Sequence, residues 1–312
     1  SSIRSQVQLN VAMSEALAFV ASSSFEGDRD GYSFRRHGVA GSGYYINLTD
    51  ADRCCQVGNF EHCQGGIVVN VSLGGDVPSR IWPGGIALAN SLCDESSKLP
   101  DLAGKRVLEL GAGSGLTAAV AMHLGAAVVA TELPAAVENL SRNLQMNISA
   151  TVRSPASALP LTWGSRLPPS LESGNFDIII VADCTYIQSM LQPLLVTFLQ
   201  SCNADTLIAI AHCRWRAFGS EVVISEFERF FALEVTSTVA LGEPVDLLIG
   251  RLKANAEVDV FIKQWFLESN GPAFETYNDM LVAAVGEEFV NEGWYETPCG
   301  PELPPGFGMQ ER

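Results

Sequence analysis

Long apolar runs are missing from this sequence. No stretch of its 312 residues approaches 18 consecutive apolar positions, the length a membrane-crossing helix needs, so no membrane span is expected. No CxxC pair occurs among the eight cysteines either. Only Cys54, Cys55, His62 and Cys63 lie close enough to invite a metal reading, and adjacent cysteines lack zinc-knuckle spacing, so no metal is expected. Several of the other cysteines sit inside apolar runs, where a thiol acts as a small buried hydrophobe. That is the pattern of a reduced, intracellular protein, with a cytoplasmic location expected and the nucleus as the alternative. Bases are scarce: Lys+Arg number 19 against 35 Asp+Glu, a net charge of −16. Such a surplus repels phosphate and argues against a nucleic-acid partner, whereas its field would attract a basic protein. Internal repeats are absent as well, which excludes a solenoid.

What is present is enough apolar residue, 47 % of the chain, to build a substantial core without metal or disulfide staples. The acids are unevenly spread. Residues 256–312 hold eleven acids and two bases, more than half of the whole surplus, which marks an appended element with its own surface character. Trp265, Trp294 and Tyr295 stand among those acids. A packed helical cap is the preferred reading of this extension, and a dock for a basic partner the second. Three regions are expected: 1–80, 81–255 and 256–312.

Residues 15–20 suggest a short amphipathic helix. Alternating apolar residues punctuated by glycine at Tyr45-Ile-Asn-Leu48 and Ile67-Val-Val-Asn-Val-Ser-Leu73 predict a small antiparallel hairpin layer. Trp82-Pro83 opens a helix over 85–93, with proline near its first turn. From Arg106 the pattern alternates. Strands are expected at 106–110, 127–131, 176–182 and 206–211, and helices at 116–124, 133–146, 190–202 and 220–231. The run Phe176-Asp-Ile-Ile-Ile-Val-Ala182 has the continuous β-branched character of a strand buried on both faces. Two final strands, 233–239 and 245–252, lack a helix between them and are expected to be antiparallel. The fold class is therefore α/β: a Rossmann-like seven-stranded sheet, mostly parallel with the last strand antiparallel, and helices on both faces. The stretch 154–173 reads as a Pro/Ser-rich connection.

The first chemical signal is Glu109-Leu-Gly-Ala-Gly-Ser-Gly115, between a strand and a helix. Glycines there let the backbone pass close to a nucleotide-like ligand, and the following helix offers free N–H groups. A dinucleotide fingerprint places its third glycine five after the first. Here the third glycine is four after the first, and Leu116 occupies the fifth position. Glu132 ends the next strand, 17 residues after Gly115, where a carboxylate can accept both hydroxyls of a ribose.

These residues resemble a known family. Ile81-Trp-Pro-Gly-Gly85, Val107-Leu-Glu-Leu-Gly-Ala-Gly-Ser-Gly115, Thr131-Glu-Leu-Pro134 with Asn143 and Asn147, Leu161-Thr-Trp-Gly164 and Ala182-Asp-Cys-Thr-Tyr186 look together like the seven-β-strand protein lysine methyltransferases of family 16, the methyltransferase-like 21 group. The resemblance covers roughly residues 31–253. It implies S-adenosylmethionine (SAM) as cofactor and a protein side-chain amine, most readily lysine, as methyl acceptor. It also implies that Trp82 lines the cofactor pocket, and that Gly111, Gly113 and Gly115, preceded by Glu109, form the loop beside the methionine part. Glu132 would hold the ribose with Leu133 beside it, Trp163 would pack near the adenine, and Ala182 would lie against the cofactor. Asp183 and Tyr186 would face the substrate amine as catalytic residues. Thr162 departs from the family pattern, which has Asp there. His123 is expected to be structural, while His212 and Arg214 could reach the substrate. Two other readings stand beside this one: a SAM-dependent enzyme acting on a small molecule or on histidine, and a non-catalytic adaptor that keeps the fold. Enzymes that methylate adenine or glutamine usually carry two prolines after the fourth strand, where Cys184 and Thr185 stand here.

Overall fold

Antiparallel pairing comes first along the chain. The structure is a computed structural model. It describes residues 28–29, 32–33, 46–49, 54–57, 67–70, 78, 81–148, 152–214, 220–240, 243–254, 256–268 and 274–285. Strand β1 (Asp28–Arg29) pairs with β2 (Tyr32–Ser33). Strands β3 (Ile46–Thr49), β4 (Cys54–Val57) and β5 (Ile67–Asn70) make a three-stranded antiparallel sheet. The hairpin layer thus has a middle strand that the sequence hides, because Cys-Cys-Gln-Val shows no clean alternation of apolar and polar residues. It also takes Cys54 and Cys55 into the ladder, paired with Thr49 and Leu48. Residues 15–20, His62 and Cys63 lie outside the described residues.

The main sheet follows. Helix α1 (Pro83–Cys93) leads to β6 (Arg106–Leu110), α2 (Leu116–His123), β7 (Ala127–Glu132), α3 (Val137–Met146), β8 (Ser157–Pro160) and β9 (Ile178–Ala182). Then come α4 (Leu191–Ser201), β10 (Leu207–Cys213), α5 (Ser220–Glu228), β11 (Phe231–Ala240) and β12 (Glu243–Leu252). The strand order is β11-β12-β10-β9-β6-β7-β8. Strands β6 to β10 run parallel, and β12, the last, runs antiparallel between β10 and β11. This is the architecture expected from the alternation of strands and helices. Strand β8 was hidden within the Pro/Ser-rich stretch. It lies at the sheet's edge, where Pro160, opposite Glu132, removes no ladder bond that a further strand needs.

Successive residues of a strand point to opposite faces, and the core divides accordingly. Val107, Ile178, Ile180, Ala209 and Ala211 pack with Ile86, Leu88, Ala119, Leu140 and Leu144 on the face covered by α1, α2 and α3. Leu108, Leu110, Ile179, Val181, Ile208 and Ile210 pack with Leu194, Phe198 and Phe227 on the face covered by α4 and α5. The connections after β6 and β9 therefore leave on opposite sides of two neighbouring strands, opening a crevice at their carboxyl ends where ligands of such sheets bind. Two further helices, α6 (Val258–Glu268) and α7 (Tyr277–Val285), follow the sheet. Helix α6 packs on α4, its Phe261 ring lying 4.9 Å from that of Phe230. The described part of the extension is thus helical, with α6 laid on α4 through half-buried side chains.

The second core face centres on aromatic contacts. Phe198 is fully buried, with its ring edge-on to Phe227 at 5.3 Å and to Phe231 at 6.3 Å. Phe198→Ala is expected to destabilise the fold by about 3–5 kcal/mol, read as a lowered urea midpoint at unchanged slope.

Candidate active site

Strand β6 ends at Leu110, and the chain must then turn sharply to start α2. It does so through three left-handed glycines, with φ of 68° at Gly111, 55° at Gly113 and 82° at Gly115. At Gly111 the turn also demands the missing side chain: a Cβ there would lie 2.6 Å from Cys184 Sγ and 2.8 Å from Trp163 Cζ2. The loop is braced from the neighbouring strand, since Ala112 N–H donates to the Thr131 carbonyl at 2.9 Å. Glu132 completes the brace. Its Oε1 accepts the Gly113 N–H at 3.1 Å, and its Oε2 accepts the Leu133 N–H at 2.6 Å.

A cleft of about 540 Å³, its open mouth included, lies above this loop. Of the residues read from the sequence, Trp82, Gly111, Gly113, Glu132, Leu133, Trp163, Ala182, Asp183 and Tyr186 line it. Two others lie behind it. Gly115 is the N-cap of α2, packed against Leu140. Glu109 is fully buried beneath the loop. Its carboxyl is opposed there by the Ala118 N–H and the Thr117 hydroxyl, so the acid supports the first turn of α2 instead of facing the cleft.

Asp183 is the single non-glycine residue with positive φ among those described, at 54°. Its N–H donates to the Ala211 carbonyl at 2.9 Å, and its Oδ2 accepts the Gly84 N–H at 2.5 Å. A Cβ on Gly84 would sit 2.7 Å from the Asp183 carboxyl carbon. The Trp-Pro-Gly-Gly segment thus has a function that the sequence reading missed. Trp82 and Pro83 aim the helix, and Gly84 lets its N-terminus receive a carboxylate. Cys184 is a second lining residue missed from sequence, its Sγ directed at the Gly111 carbonyl at 3.4 Å. Both lie inside motifs quoted from the sequence, but the contact that each makes is with a partner at least 70 residues away. His212 lies inside β10 and is fully buried, its Nδ1 2.8 Å from Thr185 Oγ1. Arg214 donates from Nε to Asp246 Oδ2 at 2.7 Å. Burial would raise Asp246, but hydrogen bonds from Arg214, Ser220 and Ser237 outweigh it and hold the carboxyl down at about 2.

Two carboxyls of the loop region are shifted the other way. Burial pushes Glu132 up to about 7 against the pull of the Leu133 and Gly113 N–H groups. Burial pushes Glu109 up to about 8, and the charge of Glu132 adds to the rise. Oε2 of Glu109 has no hydrogen-bond partner among the described residues. A buried Glu132 with one N–H on each oxygen still has acceptor capacity, and two vicinal hydroxyls would supply the donors that restore its charged form. Glu132 beside a side-chain-free turn therefore fits a nucleoside with a ribose.

The sheet order, the glycine turn and the acid at the tip of β7 define a Rossmann-like, nucleoside-binding fold of the methyltransferase type. Residues 64–230 match the family model described as lysine methyltransferase, and the chain belongs to that family. The mouse protein-lysine methyltransferase METTL21E is 37 % identical over 164 residues, 51 % of this chain and 65 % of its own. The zebrafish (Danio rerio) protein N-lysine methyltransferase METTL21A is 34 % identical over 158 residues, 51 % of this chain and 70 % of its own. Mouse EEF1A lysine methyltransferase 3 is 32 % identical over 146 residues, 46 % of this chain and 60 % of its own. The chain spans between about half and two thirds of the length of the first curated relatives it matches.

The carboxyl shifts predict a pH dependence. Both glutamates sit above their ordinary value of 4.5, so the stability they contribute is fully present below that value and is lost as pH rises through 7 to 8. Asp246 acts oppositely: its contribution is present above 3.8 and lost as pH falls toward 2, outside this window. Urea denaturation of the ligand-free protein is expected to give a lower unfolding free energy at pH 8 than at pH 5. Glu132→Gln should remove on the order of 3 kcal/mol of that difference.

Proposed function

We propose that this chain is a SAM-dependent methyltransferase that transfers a methyl group to a lysine amine of a protein. The observation that carries the proposal is one cleft with the glycine turn and Glu132 on one side and the anchored Asp183 carboxylate on the other, in a chain of the lysine methyltransferase family. SAM, when bound, supplies an electrophilic methyl group on a sulfonium sulfur. Glu132 would hold its ribose, Gly111 and Gly113 would admit its chain, and Leu133 and Trp163 would flank its base.

The protein's task is then alignment and desolvation of the amine. A lysine of ordinary pKa near 10.4 needs about 4–5 kcal/mol to be neutral at pH 7. Trp82 and Tyr186 wall the cleft, and a poorly hydrated wall favours the uncharged amine. Asp183 would accept an N–H of that amine and direct its lone pair into the cleft. The Gly84 bond and the left-handed backbone fix the carboxylate in place, and orientation of this kind supplies several kcal/mol of the acceleration. The acid surplus favours a basic segment of a protein substrate over nucleic acid, and the pattern of the cysteines, without a CxxC pair, supports a reaction in the cytoplasm, with the nucleus as the alternative.

Incubation of a cell extract with the protein and heavy-methyl SAM, followed by mass spectrometry, tests this. Label on protein lysine is expected; label confined to histidine or to metabolites would sink the proposal. For the residue role, Asp183→Asn keeps a side chain that tolerates the left-handed backbone. It is expected to lower kcat about 100-fold while SAM affinity changes less than about threefold. Wild-type turnover in this variant would remove Asp183 from the reaction.

A further inference from the structure

The family model ends at residue 230, yet one wall of the cleft comes from beyond it. Met280, on α7, is buried and lines the same cleft as Leu133 and Trp163. Its position is set by hydrogen bonds that join the C-terminal segment to the two connections on that side of the sheet. The Thr162 hydroxyl donates to the Phe274 carbonyl at 2.9 Å. The Ala135 N–H donates to the Glu275 carbonyl at 3.0 Å. Trp265 Nε1 donates to the Gly164 carbonyl at 2.8 Å, and its ring lies so close that a Cβ on Gly164 would be 2.9 Å from Cζ2. Helix α7 starts in a reciprocal cap. The Thr276 N–H donates to Asp279 Oδ2 at 2.9 Å, and the Asp279 N–H donates to Thr276 Oγ1 at 3.1 Å, an arrangement that fixes the entry of a helix.

We propose that Met280 is a cofactor-binding residue supplied by the C-terminal segment, its thioether side chain packing on the purine ring of the bound nucleoside. This rests on the SAM-binding reading above. With its ribose on Glu132 at the tip of β7, the nucleoside would have its base over the connections that follow β7 and β8. Leu133 and Trp163 stand there, and the tethers bring Met280 beside them. The reacting side of the cleft lies the other way, over β9, where Asp183 and Tyr186 stand. A methionine is suited to such a contact because its unbranched, polarizable side chain adapts to a flat aromatic face. The departure at Thr162 belongs to the same device: its hydroxyl holds Phe274, the near end of the segment that carries Met280.

The test is calorimetric binding of SAM, S-adenosylhomocysteine and adenosine to the full chain and to two variants. Met280→Ala is expected to weaken all three ligands alike, by about tenfold. Met280→Leu, close in volume, should stay within about threefold of wild type. Equal weakening of adenosine and SAM places the contact on the nucleoside instead of the methionine part. Wild-type affinity in Met280→Ala would overturn the inference while leaving the methyltransferase reading intact. Failure of the wild-type chain to bind SAM at all would overturn both. Hydrogen exchange of the wild type covers a variant that fails to fold. Saturating SAM is expected to slow exchange at least about threefold across residues 274–285, and an unchanged rate there would also overturn the contact.

Discussion

The bond from the Gly113 N–H to Glu132 Oε1 is the contact on which the site depends. It joins the turn after β6 to the tip of β7, two strands that are already paired from Arg106–Ala127 to Leu110–Thr131. With the Ala112 N–H bond to the Thr131 carbonyl, it sets the height of the glycine turn above the sheet and ties that turn to the acid. The cost is a carboxyl held in a buried position and raised to about 7. A protein that served stability alone would place an apolar residue there. A carboxyl with spare acceptor capacity at the mouth of a crevice makes sense only with a donor ligand in prospect. The strain at Asp183 has the same character, since a left-handed non-glycine residue is an expense the fold accepts at a functional place.

Those two features lie on opposite sides of the crevice and are built by different parts of the chain. Glu132 is fixed by its neighbours Leu133 and Gly113. Asp183 is fixed by Gly84, 99 residues earlier, so α1 is a working part of the site and not merely a preceding helix. Its Gly84 N–H meets the carboxylate, and its Ile86, Ala87, Leu88 and Ala89 bury completely or nearly so against the sheet. The packing energy of that helix is what holds the Gly84 N–H against Asp183.

Most of the sheet could be read from the sequence because its central strands are predominantly apolar, β9 at every position, and its helices follow them at regular intervals. The last pair was readable for a different reason: too few residues separate them for a crossover. Strands β4 and β8 were not readable. Their residues, Cys-Cys-Gln-Val and Ser-Ala-Leu-Pro, have no strong strand preference, and they are held by pairing with stronger neighbours. In the site, the glycines, Glu132 and Asp183 carried signals because their spacing along the chain reflects a local turn or a strand end. Glu109 carried the same signal as a neighbour of the loop, but its place beneath the turn shows a supporting contact with α2. Gly84 and Cys184 lay within quoted motifs and Met280 in none, but the role of each comes from partners that only the folded chain brings near.

The C-terminal segment shows how a shared core can be made particular. An aspartate at position 162, which the resemblance in sequence leads one to expect, would offer a charged acceptor. Threonine offers a hydroxyl donor, and a donor is what a backbone carbonyl such as that of Phe274 requires. The substitution therefore exchanges a contact available to a ligand for one that recruits chain. Two more donors, the Ala135 N–H and Trp265 Nε1, take carbonyls of Glu275 and Gly164, so the segment is held by backbone groups whose positions are set by β7 and β8. Docking by hydrogen bonds to fixed backbone, with one apolar side chain delivered inward, adds a wall without altering the sheet that positions Glu132 and Asp183. That separation allows the wall beside Leu133 and Trp163 to change while the side that holds Asp183 stays as the sheet builds it.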